Sequence, residues 1–286
     1  MSQLFTQQHY DTFMPPKPFE DDAYVRLERE HVKDQFLWLD ESLAPFIEDR
    51  GWDLHRHHQP QHYTSSTHFI WRNVDTGEVD DRENPIGRWQ PIVKEIGWLW
   101  LHYGKSWDQL NFYKDLPGVY QYSQREDKDY SNAFYVHTRI QFYLSFTYFG
   151  VWLVYTDKNR YDKSEFLKNL RTVPIFEATY WNRLQPLLNQ GFCYVVDDEE
   201  LPLNSNLDRE RLFKFIRSSY GEGYSGIRKK YEPDAFQIGV ENIIKEMQMN
   251  LILLYPLYEL MAHRQQIPKV SGINTSSFFG GNVRVK

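Results

Sequence analysis

An alternating hydrophobic pattern in the middle of the chain limits the fold more than any other feature of this sequence. Between Ile140 and Phe146 every second residue is apolar, and the residues between them are Gln, Tyr and Ser. Because successive side chains of a β-strand point to opposite faces, this pattern predicts a strand with one wholly apolar face. Gly150 interrupts the pattern, and a second apolar run follows it. We therefore predict a central hairpin over about residues 138–155, with Gly150 at the chain reversal or at a bulge.

The same pattern predicts which side chains form the core. Tyr143 lies on the other face of the first strand and should be less buried than its neighbours, unless a second layer covers that face. In the hairpin, the side chains expected to be buried are Phe142, Leu144, Phe146, Trp152 and Val154. A helical pattern from about 234 to 263 has the widest apolar stripe in the chain, and it is expected to cover the hairpin with Ile244, Met247, Leu251 and Leu254.

The remaining patterns divide between helices and extended runs. Because the two kinds do not alternate regularly, a doubly wound parallel sheet is not supported. We predict an α+β fold, in which an antiparallel or mixed β-sheet with the central hairpin is covered by several helices. Asp162 and Glu165 have the spacing of a capping box, so a helix should begin there. Further helices are predicted at 23–46, 91–103, 174–189 and 206–219, a second hairpin at 52–74, and a strand at 192–196.

The chain is expected to form one main domain. Its 286 residues are enough to bury a substantial core. Residues 1–19 are polar and rich in proline, which predicts an N-terminal arm that lies on the body or moves freely. A single domain follows over 20–270, and a subdomain boundary, if there is one, would fall near 104–130. Residues 271–286 contain many Gly, Ser and Asn residues, which predicts a flexible C-terminal tail.

Charge and cysteine content exclude several classes of protein. The net charge of -6 argues against a polybasic coat for nucleic acid or membrane, although local basic patches remain open. Cys193 is the one cysteine, so there is no internal disulfide framework and no cysteine-rich metal site. The sequence has neither an apolar window of about 18 residues nor a secretory signal pattern. We expect a cytoplasmic protein that does not enter a membrane.

A cluster of histidines is the first candidate site. Five of the ten histidines fall between His55 and His68. His55 and His57 would share one face of a strand, a spacing that can chelate a divalent ion. Either His62 or His68 would return as a third ligand on the neighbouring strand, with Asp53 or Asp75 as a carboxylate ligand. A divalent metal is therefore the only cofactor that the sequence suggests. The alternative is a polar strand face in contact with water, where histidine is as acceptable as glutamine or threonine.

A basic and aromatic segment from 217 to 231 is the second candidate site. It carries four cations against the single acidic residue Glu222, interleaved with tyrosines and glycines. Glycines let backbone amides approach phosphate, cations neutralise phosphate, and tyrosine rings stack on unpaired bases. The alternative is a flexible loop between helices whose lysines stay in water. The residues expected to contact nucleic acid are Arg217, Tyr220, Tyr224, Arg228, Lys229 and Lys230.

Two further features are interpreted as structural. The acidic run from Asp197 to Glu200 follows a predicted strand without a lysine nearby in the sequence, which is typical of a turn in contact with water. Cys193 lies between Phe192 and Tyr194 in the same strand, which favours a buried, small apolar role over a nucleophilic one.

These observations favour a nucleic-acid-associated cytoplasmic protein, as a binding or nuclease module of a processing or defence system. One alternative is a metal-dependent hydrolase that uses the His55–His68 cluster. Another is a non-catalytic interaction subunit whose C-terminal tail, with Phe278 and Phe279, binds a partner protein. The sequence leaves open whether the chain is an enzyme.

Overall fold

The computed structural model describes residues 3–13, 23–57, 64–73, 75–76, 79–80, 89–106, 109–110, 137–156, 160–197, 199–218, 224–235 and 238–262. Within these ranges the α-helices are α1 Gln7–Asp11, α2 Ala23–Asp49, α3 Arg160–Thr172, α4 Pro174–Leu184, α5 Arg209–Arg217 and α6 Val240–Met261. A short 3-10 helix, Gln185–Leu187, follows α4. None of the helices in this part of the chain is both long and apolar enough to span a membrane. The predicted tail at 271–286 lies outside the described residues.

The described strands form one antiparallel sheet. They are β1 His55–His57, β2 Thr64–Asn73, β3 Val79–Asp80, β4 Trp89–Gly104, β5 Arg139–Ser145, β6 Phe149–Thr156, β7 Phe192–Val196, β8 Glu199–Pro202 and β9 Tyr224–Tyr231. The order across the sheet is β3-β2-β4-β5-β6-β9-β7-β8, and β1 pairs with β4 beside β2. All pairs are antiparallel, and the predicted α+β fold is confirmed.

The prediction of a helix at 91–103 is wrong, because this segment belongs to the longest described strand, β4. One side of β4 pairs with β2 and β1, and the other side pairs with β5. The residues from Trp98 to Tyr103 are aromatic, aliphatic or histidine, and side chains of this kind pack well on a pleated sheet. Pairing along both sides outweighs the weak helical periodicity of the sequence.

The predicted hairpin at 52–74 is also corrected. Both of its strands exist, but β1 and β2 each pair with β4, at different positions along the same side. His55 lies opposite Gly104, whereas Thr64 lies opposite Leu99. We predicted that β1 and β2 would pair with each other, whereas in the described residues each of them pairs with β4.

The register of the sheet defines two faces. The first, called the helical face, carries side chains such as Leu101, Phe142, Leu153 and Ile227, all buried. Helices α2, α3 and α6 pack against β4, β5 and β6, and α5 packs against β7. The opposite face, called the polar face, carries the alternate side chains of each strand. It carries Trp100, His102, Gln141, Tyr143, Trp152, Val154, Arg228, Lys230, Cys193 and Glu200.

The core prediction is confirmed at most positions. Phe142 and Leu144 are fully buried, whereas Phe146 is only partly buried because it lies beyond the end of β5. Val154 and Trp152 are also buried, but they lie on the polar face in a separate cluster, away from the helices. Helix α6 packs on β5 and β6 as predicted. Its buried side chains include Met247, Leu251 and Leu254, and Ile244 is partly buried at the margin of the same core.

Gly150 has a different role from the predicted one. The chain reverses at 146–148, and Gly150 lies inside β6, directly opposite Tyr143. A Cβ atom at Gly150 would lie 2.3 Å from the Tyr143 ring, so glycine is required for this ring to cover the strand. Tyr143 is consequently only 3% exposed, and the polar face is buried at this point as well.

The described part of the N-terminal segment belongs to the core. Leu4, Phe5 and Tyr10 are buried, and the Phe5 ring lies 5.2 Å from the rings of both Phe36 and Phe149. Residues 3–13 therefore help to close the helical face, and they are not a free arm.

Asp162 does not cap α3, because the helix begins two residues earlier, at Arg160. Its carboxylate is buried, forms an ion pair with the equally buried Lys105 at the end of β4, and accepts a hydrogen bond of 2.9 Å from the Thr138 backbone N–H. A buried charge needs such partners, so the acidic residue that resembled a helix cap instead joins α3 to the ends of two strands.

Candidate nucleic-acid interface

The described residues of the basic segment form the end of α5, at 217–218, and a strand. Residues 224–231 form β9, which pairs with β6 on one side and β7 on the other. The alternative interpretation, a flexible loop between helices, is wrong for residues 224–231, because Gly226, one of the glycines that favoured a loop, lies inside the strand. A Cβ atom at Gly226 would lie 1.9 Å from the carbonyl oxygen of Leu153 on β6, and its φ of +148° also favours glycine.

The alternation of β9 separates the predicted contact residues. Tyr224, Arg228 and Lys230 lie on the polar face, whereas Lys229 lies on the helical face. There the Lys229 ammonium donates a hydrogen bond of 2.7 Å to Glu246 of α6. Arg217 lies elsewhere, at the end of α5, where it forms an ion pair with Glu177 of α4. Tyr220 lies outside the described residues.

Aromatic rings surround Arg228 on the polar face. The Trp152 ring is the centre of this group, with the Tyr224 ring 5.5 Å away and the Arg228 guanidinium carbon 5.1 Å from its centroid. Tyr143 lies on the other side of Trp152, at 6.1 Å, and its hydroxyl donates a hydrogen bond of 2.9 Å to the Tyr148 hydroxyl. Such contacts between a cation and aromatic rings are attractive and hold the guanidinium in place.

A second cation completes the surface. The Lys230 ammonium lies 5.1 Å from the centroid of the Tyr148 ring. Tyr148, Tyr224 and Lys230 are each partly exposed, whereas Trp152 is nearly buried beneath them. We call the group of Tyr148, Trp152, Tyr224, Arg228 and Lys230 the aromatic–cationic patch.

Glu200 of β8 pairs with both cations of the patch. Its Oε1 atom accepts a hydrogen bond from Arg228 and one of 2.6 Å from the Lys230 ammonium. Burial alone would raise the pKa of Glu200, but the hydrogen bond from Lys230 and the positive charge of Arg228 outweigh burial and lower this pKa. The acidic run at 197–200 is therefore more than a turn in contact with water. Sheet pairing brings cations to Glu200 from 28 and 30 residues away.

Cys193 lies beneath this carboxylate, where its thiol is hard to ionise. It pairs directly with Arg228 in the sheet, and its sulfur lies 3.4 Å from Glu200 Oε2. Burial, with a further contribution from the negative charge of Glu200, raises the pKa of the thiol to about 11. The predicted role as a buried, small apolar residue holds only in part, because Cys193 is half-buried and its sulfur contacts the Glu200 carboxylate and the Arg228 backbone carbonyl.

The predicted histidine site is described only in part. His55 and His57 lie on β1, His62 lies outside the described residues, and the His55 ring contacts the Asp53 carboxylate at 2.7 Å. The register places His57 opposite His102 of β4, whose ring is 5.7 Å from that of His137. Among the side chains that the structure describes, no three His, Cys, Asp or Glu residues are grouped to hold a metal ion. The metal site stays a prediction.

Sequence reasoning missed the buried polar groups on this face. Arg139 and Gln141 of β5 are both buried, and the Arg139 guanidinium donates a hydrogen bond of 2.9 Å to the Gln141 side chain. Position 141 was noticed only as the polar half of an alternating pattern. Its link to Arg139 had a signal in the sequence, because residues two apart on a strand share a face.

Comparison with known proteins provides no family for this chain. No protein-family model matches it, and no curated protein matches it significantly. The function must therefore be argued from the site itself.

Proposed function

We propose that this chain binds single-stranded nucleic acid on the polar face of its sheet, through the aromatic–cationic patch. One observation carries the proposal: the alternation of β9 groups Tyr224, Arg228 and Lys230 on a single face, beside the rings of Trp152 and Tyr148. Two cations and several aromatic rings therefore meet on one surface, although they are dispersed in the sequence.

The chemistry of the patch fits the two parts of a nucleotide. Aromatic rings stack on the faces of bases, and this stacking tolerates any base sequence. Lysine and arginine neutralise phosphates and release the counterions condensed on them. Tyr148 and Tyr224 are the partly exposed rings that would meet bases, while Lys230 and Arg228 would meet the backbone. Trp152, nearly buried, would support the Arg228 guanidinium from below.

Single strands suit this surface better than duplexes do. The faces of bases are accessible only when the bases are unpaired, and a duplex would offer the tyrosines nothing but its backbone and groove edges. The net charge of -6 repels nucleic acid at long range, so attraction depends on the local patch. With two cations in contact with phosphates, the log–log slope of affinity against salt should be about −1.4.

The experiment measures binding of fluorescently labelled single-stranded and double-stranded DNA and RNA of mixed sequence at low salt. Single strands should bind more tightly than duplexes of the same length. Replacing Tyr224→Ala should weaken single-strand binding by about 1–3 kcal/mol, which is the usual contribution of one stacked base.

The matched control is Tyr224→Phe, which keeps the ring and should bind almost as well as the unmodified protein. Two results would contradict the proposal. One is the absence of single-strand binding at low salt, and the other is equal affinity of the alanine and phenylalanine variants.

A further inference from the structure

Glu200 holds its two cations in an unusual way for a strand residue. Strand β7 lies between β8 and β9 in the sheet, so the Glu200 side chain reaches across a neighbouring strand to meet Arg228 and Lys230. It passes over Cys193, whose sulfur is 3.4 Å from Oε2. Both cations donate to the same oxygen atom, Oε1.

These contacts are the ones that a phosphate group makes with proteins. A guanidinium and an ammonium that converge on one anionic oxygen form charge-assisted hydrogen bonds equally with a carboxylate or a phosphate. The Tyr148 hydroxyl lies 3.5 Å from the Arg228 guanidinium and adds a polar group at the margin of the site. The carboxylate therefore marks the position where an anionic oxygen of a ligand would be bound.

The carboxylate is also placed where it can leave. The Glu200 side chain is 36% exposed and that of Lys230 is 34% exposed. Glu200 belongs to the four-residue strand β8 at the edge of the sheet, with no described strand beyond it. An ion pair that is exposed to this extent, as that of Glu200 with Lys230 is, contributes little to folding. The Arg228 side chain is only 13% exposed, so an anion that displaces Glu200 must take over its contact with Arg228 as well.

We propose that Arg228 and Lys230 form a binding site for a phosphate group, and that Glu200 is an internal competitor which occupies this site until the phosphate displaces it. The phosphate would come from a nucleic-acid backbone or from a free phosphate compound. The first case rests on the proposed function. In both cases the Glu200 carboxylate lowers affinity, because it must give up both cations before the ligand can bind.

The experiment removes the competing charge and measures two ligands. Glu200→Gln keeps the size of the side chain but not its charge, and Glu199→Gln is the matched control. Glu199 is the adjacent residue of β8, opposite Val196 on the helical face, and its replacement changes the net charge equally. Pyrophosphate binding is measured by calorimetry, and labelled single-stranded oligonucleotide binding by anisotropy. Glu200→Gln should bind both about threefold to fivefold more tightly than Glu199→Gln.

The two ligands separate this inference from the proposed function. Tighter pyrophosphate binding by Glu200→Gln without any oligonucleotide binding would support the phosphate site and overturn the nucleic-acid proposal. Equal affinities of the two glutamine variants for both ligands would overturn the inference, even if the oligonucleotide binds. The double variant Glu200→Gln with Lys230→Gln should lose the gain, and a retained gain would show that it arises elsewhere.

A second variant tests the same point if the first one folds poorly. Glu200→Asp keeps the negative charge but shortens the side chain, so that the carboxylate no longer reaches across β7 to both cations. It should bind pyrophosphate more tightly than the unmodified protein, which has the same net charge. A pyrophosphate affinity no higher than that of the unmodified protein would contradict an internal competitor at this position.

Discussion

The helical face and the polar face are built from the same strands, yet they bury different chemistry. On the helical face, Leu101, Phe142 and Val151 lie in line across β4, β5 and β6, and all are buried in one apolar core. One residue further along each strand, His102, Gln141 and Trp152 lie in line on the polar face, and they too are buried. Burial alone therefore does not distinguish the two faces.

The difference lies in what burial requires of each face. Apolar side chains on the helical face need only close packing, so the helices that cover it determine the fold. Polar side chains on the other face need hydrogen-bond or ionic partners when buried, as Arg139 has in Gln141 and Arg228 has in Glu200. A face that holds polar groups in fixed positions is the face that can recognise a ligand.

The largest expected effect tests whether both faces are buried. Phe142→Ala and Tyr143→Ala each remove a ring from the same strand, one from each face. Both are expected to lower the free energy of unfolding by about 3–5 kcal/mol, since both rings are buried. Chemical denaturation of the two variants provides the measurement. A cost for Tyr143→Ala of no more than about 1 kcal/mol would mean that this face is open to water.

A smaller effect is expected at Cys193, where burial and the negative charge of Glu200 raise the pKa of the thiol to about 11. Because only the thiolate reacts, alkylation by iodoacetamide at neutral pH should be about a hundredfold slower than for an ordinary cysteine. The rate should increase with pH until the pH reaches this pKa. Alkylation of the native protein is followed by mass spectrometry, with the denatured protein as control.

The variant Glu200→Gln sharpens this prediction. It removes a negative charge and a hydrogen bond that help to raise the pKa of Cys193, so alkylation at a fixed pH should become faster. An unchanged rate would show that burial alone protects the thiol, and that the carboxylate does not act on it.

The alternating pattern at 140–146 was sufficient to predict β5 and its buried face, because a period of two is a local property of the chain. The covering helix was predicted from another local property, the apolar stripe at about 234–263. The alternating pattern could not predict that Tyr143 is buried, since its ring packs over Gly150 on the other strand of the hairpin. The pattern at 91–103 was misread for a related reason. Its strand identity depends on pairing with partners on both sides, and no local pattern reveals those partners.

The candidate site was predicted by residue type but not by geometry. Arg228 and Lys230 were identified as cations, but this segment was not predicted to be a strand, so no alternation could assign Lys229 to the helical face. Their counter-ion Glu200 was set aside because no lysine lies near it in the sequence. The buried pair of Lys105 and Asp162 is separated by 57 residues and was missed in the same way. Contacts of this kind follow from strand register, which a single sequence does not determine.

The most direct test of the account compares the two adjacent lysines of β9, which lie on opposite faces. Lys230→Gln and Lys229→Gln change the net charge equally, and single-stranded oligonucleotide binding is measured for each as a function of salt. Lys230→Gln should bind a few-fold more weakly and reduce the log–log salt slope by about 0.7, as expected for the loss of one phosphate contact. Lys229→Gln, whose lysine pairs with Glu246 of α6, should retain both the affinity and the slope. Equal losses in the two variants, or a loss confined to Lys229→Gln, would contradict the assignment of ligand binding to the polar face.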